Sequence, residues 1–112
     1  MISSENILSV IATYEANGWV LRRLIARSER LTEFEAIAVR YAPAVKVCEG
    51  KMDAAWFSRP PAEGLIAWEL RALDEAPYAL LEFLDESSDD LEERISEVET
   101  RLAESTVGKE IA

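Results

Sequence analysis

The sequence predicts an α+β fold, an antiparallel four-stranded sheet in the element order αβαβββα, packed with N- and C-terminal helices. Three observations carry this. Residues 65–72 alternate with period two: Ile66, Trp68, Leu70 and Ala72 share one face, Glu69 and Arg71 the other. Short, breaker-marked connections separate three apolar runs between 53 and 84, the spacing of an antiparallel meander. Both ends carry helix signals, a serine ahead of an acidic first turn and an apolar stripe. Helices are expected on one face of the sheet.

The first helix is expected over 3–17. Ser3 or Ser4 caps it, Glu5 meets the positive end of its dipole, and Ile7, Leu8, Val10, Ile11 and Tyr14 form the stripe. Asn17-Gly18 ends it, glycine suiting the left-handed position after a helix. Residues 19–26 are rich in β-branched and aromatic side chains between breakers and read as a strand. Its alternation is imperfect, as for a strand covered partly on both faces.

Thr32 and Glu35 have capping-box spacing, which predicts a helix over 33–42 ending at Pro43, with Phe34, Ile37, Ala38 and Tyr41 buried. The competing reading is a β-excursion through 36–41. Residues 45–48 read as a short edge strand and 49–51 as a turn. The meander strands follow at 53–59, 65–72 and 77–84. Pro60 and Pro61 sit in the first connection because proline cannot occupy a central strand. In the third strand Ala79, Leu81 and Phe83 share one face; Tyr78, Leu80, Glu82 and Leu84 share the other.

The last helix is expected over 88–104, with Ser87 or Ser88 as cap and Asp89 and Asp90 in its first turn. Leu91, Ile95, Val98 and Leu102 form one apolar stripe. Residues 1–104 read as a single domain and 105–112, where the pattern is lost, as a frayed tail. The sequence shows no internal repeat.

Charge is lopsided. The net charge is −10, and all of it lies in 57–112. Ten carboxylates between Glu82 and Glu104 face only Arg94 and Arg101. That balance disfavours nucleic acid, whose affinity comes from cationic contacts to phosphate. The absence of histidine excludes Ser-His-Asp and Cys-His chemistry and imidazole metal sites. A single cysteine forms no internal disulfide or zinc site. No cofactor and no metal are therefore expected. The N-terminus lacks a secretory pattern and no apolar run approaches membrane-span length, so the expected location is the cytoplasm.

The motifs are weak carriers of chemistry. Cys48 lies near Lys46 and Lys51, yet has no histidine to act as its base and reads as a small hydrophobe. Glu49, Asp53 and Glu69 are the carboxylates available for a glycosidase-like pair, and nothing in their spacing demands one. Ser87 to Glu93 is acidic but lacks the glycine and ligand spacing of a calcium loop. Arg22, Arg23, Arg27 and Arg30 suit either an anion or partner site or pairing with neighbouring carboxylates. Trp56 and Phe57 are adjacent on a strand and point to opposite faces. Both are core if helices cover both faces; otherwise one joins Arg59 in an interaction surface. The candidate surface is Trp56, Phe57, Arg59, Tyr78, Leu80 and Leu84, with Arg22 and Arg23 beside it.

The function expected from these features is a non-catalytic protein–protein interaction module, adaptor or chaperone-like, with a homodimer or another protein as partner. The alternative is a small-molecule binder or carboxylate-based enzyme with a groove between sheet and helices.

Overall fold

A computed structural model describes residues 3–41, 45–59, 66–73, 79–84 and 88–111, with side chains of the last segment described to 104. Helix α1 spans Ser4–Ala16. It is capped by Ser3, whose Oγ accepts a hydrogen bond from the Asn6 amide at 3.2 Å. Gly18 follows with φ +86°, the left-handed stop that glycine permits without a Cβ clash. Strand β1 (Val20–Ala26) leads through a 3-10 turn (Ser28–Arg30) directly into α2 (Leu31–Ala38). Strands β2 (Lys46–Glu49), β3 (Ala54–Arg59), β4 (Ile66–Ala72) and β5 (Ala79–Leu84) follow, then helix α3 (Leu91–Ile111).

The sheet has five strands in the order β2-β1-β3-β4-β5. It is mixed, where the sequence predicts four antiparallel strands. β1 pairs antiparallel with β3, β3 with β4 and β4 with β5, but β2 lies parallel to β1, with Leu24 opposite Val47. Parallel neighbours need a crossover, and the 3-10 turn and α2 supply it. Four residues with charged ends carry too little pattern to reveal such pairing. Gly50 closes this corner: its amide donates to the Ala26 carbonyl at 2.9 Å, and an added Cβ would lie 2.5 Å from Ile25 Cγ2.

Helices cover both faces rather than one. β3 is buried at five successive positions, from Ala54 to Ser58, so neither of its faces suits water. Below it Ile7 and Ile11 of α1 and Phe34, Ile37 and Ala38 of α2 pack on Leu21, Leu24, Ala55 and Phe57. Above it Ile95, Val98 and Leu102 of α3 pack on Trp56, Trp68, Leu70 and Leu84.

The imperfect alternation of β1 has a local cause. Leu21 pairs with Phe57 and Arg23 with Trp56, so Arg22 is an extra residue, a β-bulge. The bulge resets the period. Leu21 and Leu24, three apart, therefore join the same core, and Arg22 and Arg23 both turn toward α3.

The boundaries of α2 and α3 also move, α2 ending at Ala38 rather than 42. α2 begins at Leu31 with Thr32 inside it; its cap position is Arg30, which makes no side-chain cap bond. The 3-10 turn has already started the spiral, with the Arg30 amide donating to the Arg27 carbonyl at 2.8 Å. Pro43, the connection expected at Pro60 and Pro61, and residues 74–78 lie outside the described residues. α3 begins at Leu91, after a turn in which the Leu91 amide donates to the Ser88 carbonyl at 3.3 Å. Its backbone continues to Ile111, past the expected limit of 104.

Candidate functional site

The structure separates the candidate surface residues. Trp56 and Phe57 are both fully buried, on opposite faces of β3, and Leu84 is buried beneath α3. No partner of the folded chain reaches these three, because helices cover both faces at that point. Leu80 is half-buried against the α3 core. Arg59 is exposed, its guanidinium carbon 6.0 Å from the Trp19 ring centroid. Tyr78 lies outside the described residues. Arg22 donates to Ser58 Oγ at 3.0 Å and lies 4.7 Å from the Trp68 ring centroid. Arg23 makes a two-pronged bond to Glu92 at 2.8 and 2.9 Å.

These arginines thus tie the acidic helix to its own sheet. The ties have a seven-residue rhythm. Glu92 and Glu99 lie two turns apart on the flank of α3 facing β1 and β3, where Glu99 accepts from Trp56 Nε1 at 2.9 Å. Arg94 and Arg101, the two basic residues in the acidic stretch, lie two turns apart on the flank facing β5. Arg101 bonds Glu82, and Arg94 lines a hollow with Leu84. The exposed back of the helix keeps Glu93, Glu97 and Glu104.

A second polar knot lies at the start of β3. Asp53 and Arg30 are each 4 % exposed. The Asp53 carboxylate accepts from the Arg27 amide at 2.9 Å, from Arg27 Nη2 at 3.2 Å and from Arg30 Nη1 at 3.1 Å. Arg30 also grips Glu33 through Nε and Nη2, and Ser4 bonds the same carboxylate. Glu69 accepts from the Tyr14 hydroxyl, and burial together with this carboxylate raises the Tyr14 pKa. Asp53 and Glu69 therefore act as structural acceptors. Cys48 is half-buried on β2.

Glu33 and Glu92 titrate below the usual carboxylate range, each chiefly through its hydrogen bonds from arginine. Their stabilisation is fully present above the unfolded-chain pKa of about 4.3 and is lost as pH falls through the lower folded values. The urea midpoint is expected to hold from neutrality to about pH 5 and fall below about pH 4. A midpoint unchanged or higher in acid would show that these two ion pairs do not govern the acid limb.

Among the described residues four large apolar side chains are exposed: Val20 and Val39 singly, and Leu81 and Phe83 together. On the α1/α2 side those helices sit over β1 and β2 and reach β4 through Tyr14, which stacks on Phe57 with centroids 4.0 Å apart. Ala67, Glu69 and Arg71 of β4 and Ala79, Leu81 and Phe83 of β5 share that face. Leu81 is 52 % exposed and Phe83 57 %. β5 is also the end of the sheet. The third meander strand alternates as the sequence predicts, but its covered face is the one with Leu80 and Leu84, and its open face carries Leu81 and Phe83. Glu82 shares the covered face, where Arg101 of α3 bonds it.

Among the described residues, no group of three or more cysteine, aspartate or glutamate side chains is placed to hold a metal ion. None of the described helices is long and apolar enough to cross a membrane. The two described hollows both border α3, one lined by Glu93, Ser96, Glu97, Thr100 and Arg101, the other by Leu84, Ser88, Asp90, Leu91 and Arg94. No family model, curated protein or solved structure matches this chain.

Proposed function

We propose that this chain is a non-catalytic interaction module, adaptor or chaperone-like, that takes a protein partner along the β5 edge and the open face beside it. One observation carries the reading: Leu81 and Phe83 are more than half exposed, side by side, on a strand at the end of the sheet. An apolar pair on an open edge offers both elements of strand addition, unpaired main-chain groups for affinity and side-chain contacts for specificity.

The other edge differs. β2 is four residues long, begins with Lys46, ends with Glu49 and packs against α2. Short length, charge and cover are the devices that keep an edge from pairing. β5 has six residues, no proline and a single charge, Glu82, already engaged by Arg101. The unequal treatment of the two edges supports β5 as a functional surface.

The test compares the parent chain with a Leu81→Lys/Phe83→Lys double variant as immobilised baits, with hydrogen exchange on whatever is retained. Both side chains are exposed, so the variant is expected to keep the parent's melting temperature within a few degrees. A protein held by the parent, lost by the variant and protecting the 79–84 amides bears out the reading. Equal retention by both baits with no protection of 79–84 overturns it.

A further inference from the structure

We propose that the occupant of this edge is a second copy of the chain, paired β5 to β5 in antiparallel fashion about a twofold axis at Glu82. This rests on the reading of β5 as a docking edge and adds the identity of the partner. The argument begins with the strand's own sequence. Leu80-Leu81-Glu82-Phe83-Leu84 is chemically near-palindromic about Glu82. Antiparallel pairing centred there sets Leu81 opposite Phe83 of the second copy, and Phe83 opposite its Leu81. On the α3 side Leu80 falls level with Leu84, whose side chain α3 already covers. On the open face each apolar residue meets an apolar residue, the condition for a stabilising cross-strand pair. A register shifted by one residue would set apolar side chains of one face against the charge of the other.

The centre of this arrangement brings two Glu82 side chains together, which by itself repels. The fold has already answered that charge. Arg101 bonds Glu82 from α3 in each copy, so the axis gathers two carboxylates and two guanidiniums, a neutral quartet. A twofold normal to the sheet keeps both α3 helices on one side. Their basic flanks, with Arg94 and Arg101, then turn toward the axis, and their acidic flanks, with Glu92 and Glu99, turn away. Charge and strand chemistry agree on the same axis, and self-complementarity of one patch is what an isologous dimer requires.

Salt gives the proposal a signature. Arg23 and Arg27 are bonded to Glu92 and Asp53 of their own chain rather than offered to a partner's acidic helix. The remaining long-range term is repulsion between two chains of net charge −10. That repulsion is screened over about 10 Å at 0.1 M salt and about 3 Å at 1 M. Association is therefore expected to tighten as salt rises. A strand pair of this length is smaller than the roughly 1,200 Å² of stable standard-size interfaces, so the dimer is expected to be concentration-dependent.

The experiment is sedimentation equilibrium of the full chain from low to high micromolar loading, at low and high salt. It is run on the parent, on Leu81→Lys, and on Glu82→Cys in a Cys48→Ser background. The parent is expected to pass from 12.6 kDa toward twice that mass, more readily at high salt. Leu81→Lys is expected to weaken association roughly tenfold or more, since the substitution enters twice per dimer. On mild oxidation Glu82→Cys is expected to give a disulfide-linked dimer, while Glu93→Cys in the same background, on the outer side of α3, does not. A parent that stays at 12.6 kDa at every loading and salt overturns the proposal. So does a dimer indifferent to Leu81→Lys and unlinked through position 82. In either case, variant-sensitive capture of a different protein would leave the docking edge standing, whereas loss of both results would remove the edge as well.

Discussion

Replacing Trp68 by alanine is expected to lower the unfolding free energy by about 3–5 kcal/mol. Trp68 is at the middle of β4, flanked on its own face by Ile66 and Leu70. It is buried beneath α3, and its ring meets Trp56 edge to face with centroids 5.8 Å apart. Truncation removes the transfer energy of a large aromatic and leaves a cavity between two stiff layers that cannot close it. It also removes the ring on which Arg22 rests. A domain of this length holds of order 10 kcal/mol in total, so the melting temperature is expected to fall by more than about 10 °C. A melt within a degree or two of the parent would place Trp68 outside the core.

Conservative variants separate packing from polarity. The Trp68 Nε1 is buried with no hydrogen-bond partner among the described residues, so Trp68→Phe loses ring volume and no bond that those residues supply. Trp56 Nε1 donates to Glu99, so Trp56→Phe loses volume and a bond to a carboxylate. Denaturant titration is expected to rank Trp56→Phe as the less stable of the two.

The contrast between these tryptophans marks what could be read from the chain. Which residues share a face follows from the period of two, so the grouping of Ile66, Trp68 and Leu70, and of Leu81 with Phe83, was legible. The α+β class and the main elements were legible for the same reason, since caps and periods are local. What covers each face is a tertiary question. The face of β5 with Leu80 and Leu84 is closed by α3 and that with Leu81 and Phe83 is left open. Nothing within β5 decides between them, because both faces are apolar apart from Glu82. The deciding residues are Arg94 and Arg101, distant in sequence. Their spacing of seven against Glu92 and Glu99 orients α3 over the sheet.

One other miss has the same origin. The parallel pairing of β2 depends on where α2 sends the chain, and 46–49 carry no record of that. β1 is covered on both faces, as its imperfect alternation suggests, with Leu21, Leu24 and Ala26 on the α1/α2 side and Ile25 on the α3 side, and the bulge at Arg22 adds a second break in its period. Four arginines clustered between 22 and 30 suited either an outside anion or partner, or pairing with neighbouring carboxylates. Their partners lie at Ser58, Glu92, Asp53 and Glu33, the first two far along the chain.

The buried acid among those partners gives the second large effect. Asp53→Ala is expected to destabilise the fold by about 3–5 kcal/mol, as removal of one member of a buried pair does. The cost is less the lost attraction than what is left behind. Arg30 would remain in the interior, still bonded to Glu33 but without the carboxylate that its Nη1 bonds. The Arg27 amide would lose its acceptor just where β1 ends and the 3-10 turn begins. That turn starts α2, and α2 carries Phe34 and Ile37 into the lower core. The damage is therefore expected to spread from one carboxylate to the β1–α2–β2 unit. Hydrogen exchange offers a local readout: faster exchange in 20–38 and 46–49, with the amides of β4 less affected. Asp53→Asn keeps the shape and an acceptor oxygen but removes the charge, and is expected to recover part of the loss. If Asp53→Ala melts like the parent, the knot is incidental and α2 is held by its apolar face alone. If Asp53→Asn is as damaging as alanine, the charge itself, rather than the hydrogen bonds, holds the turn.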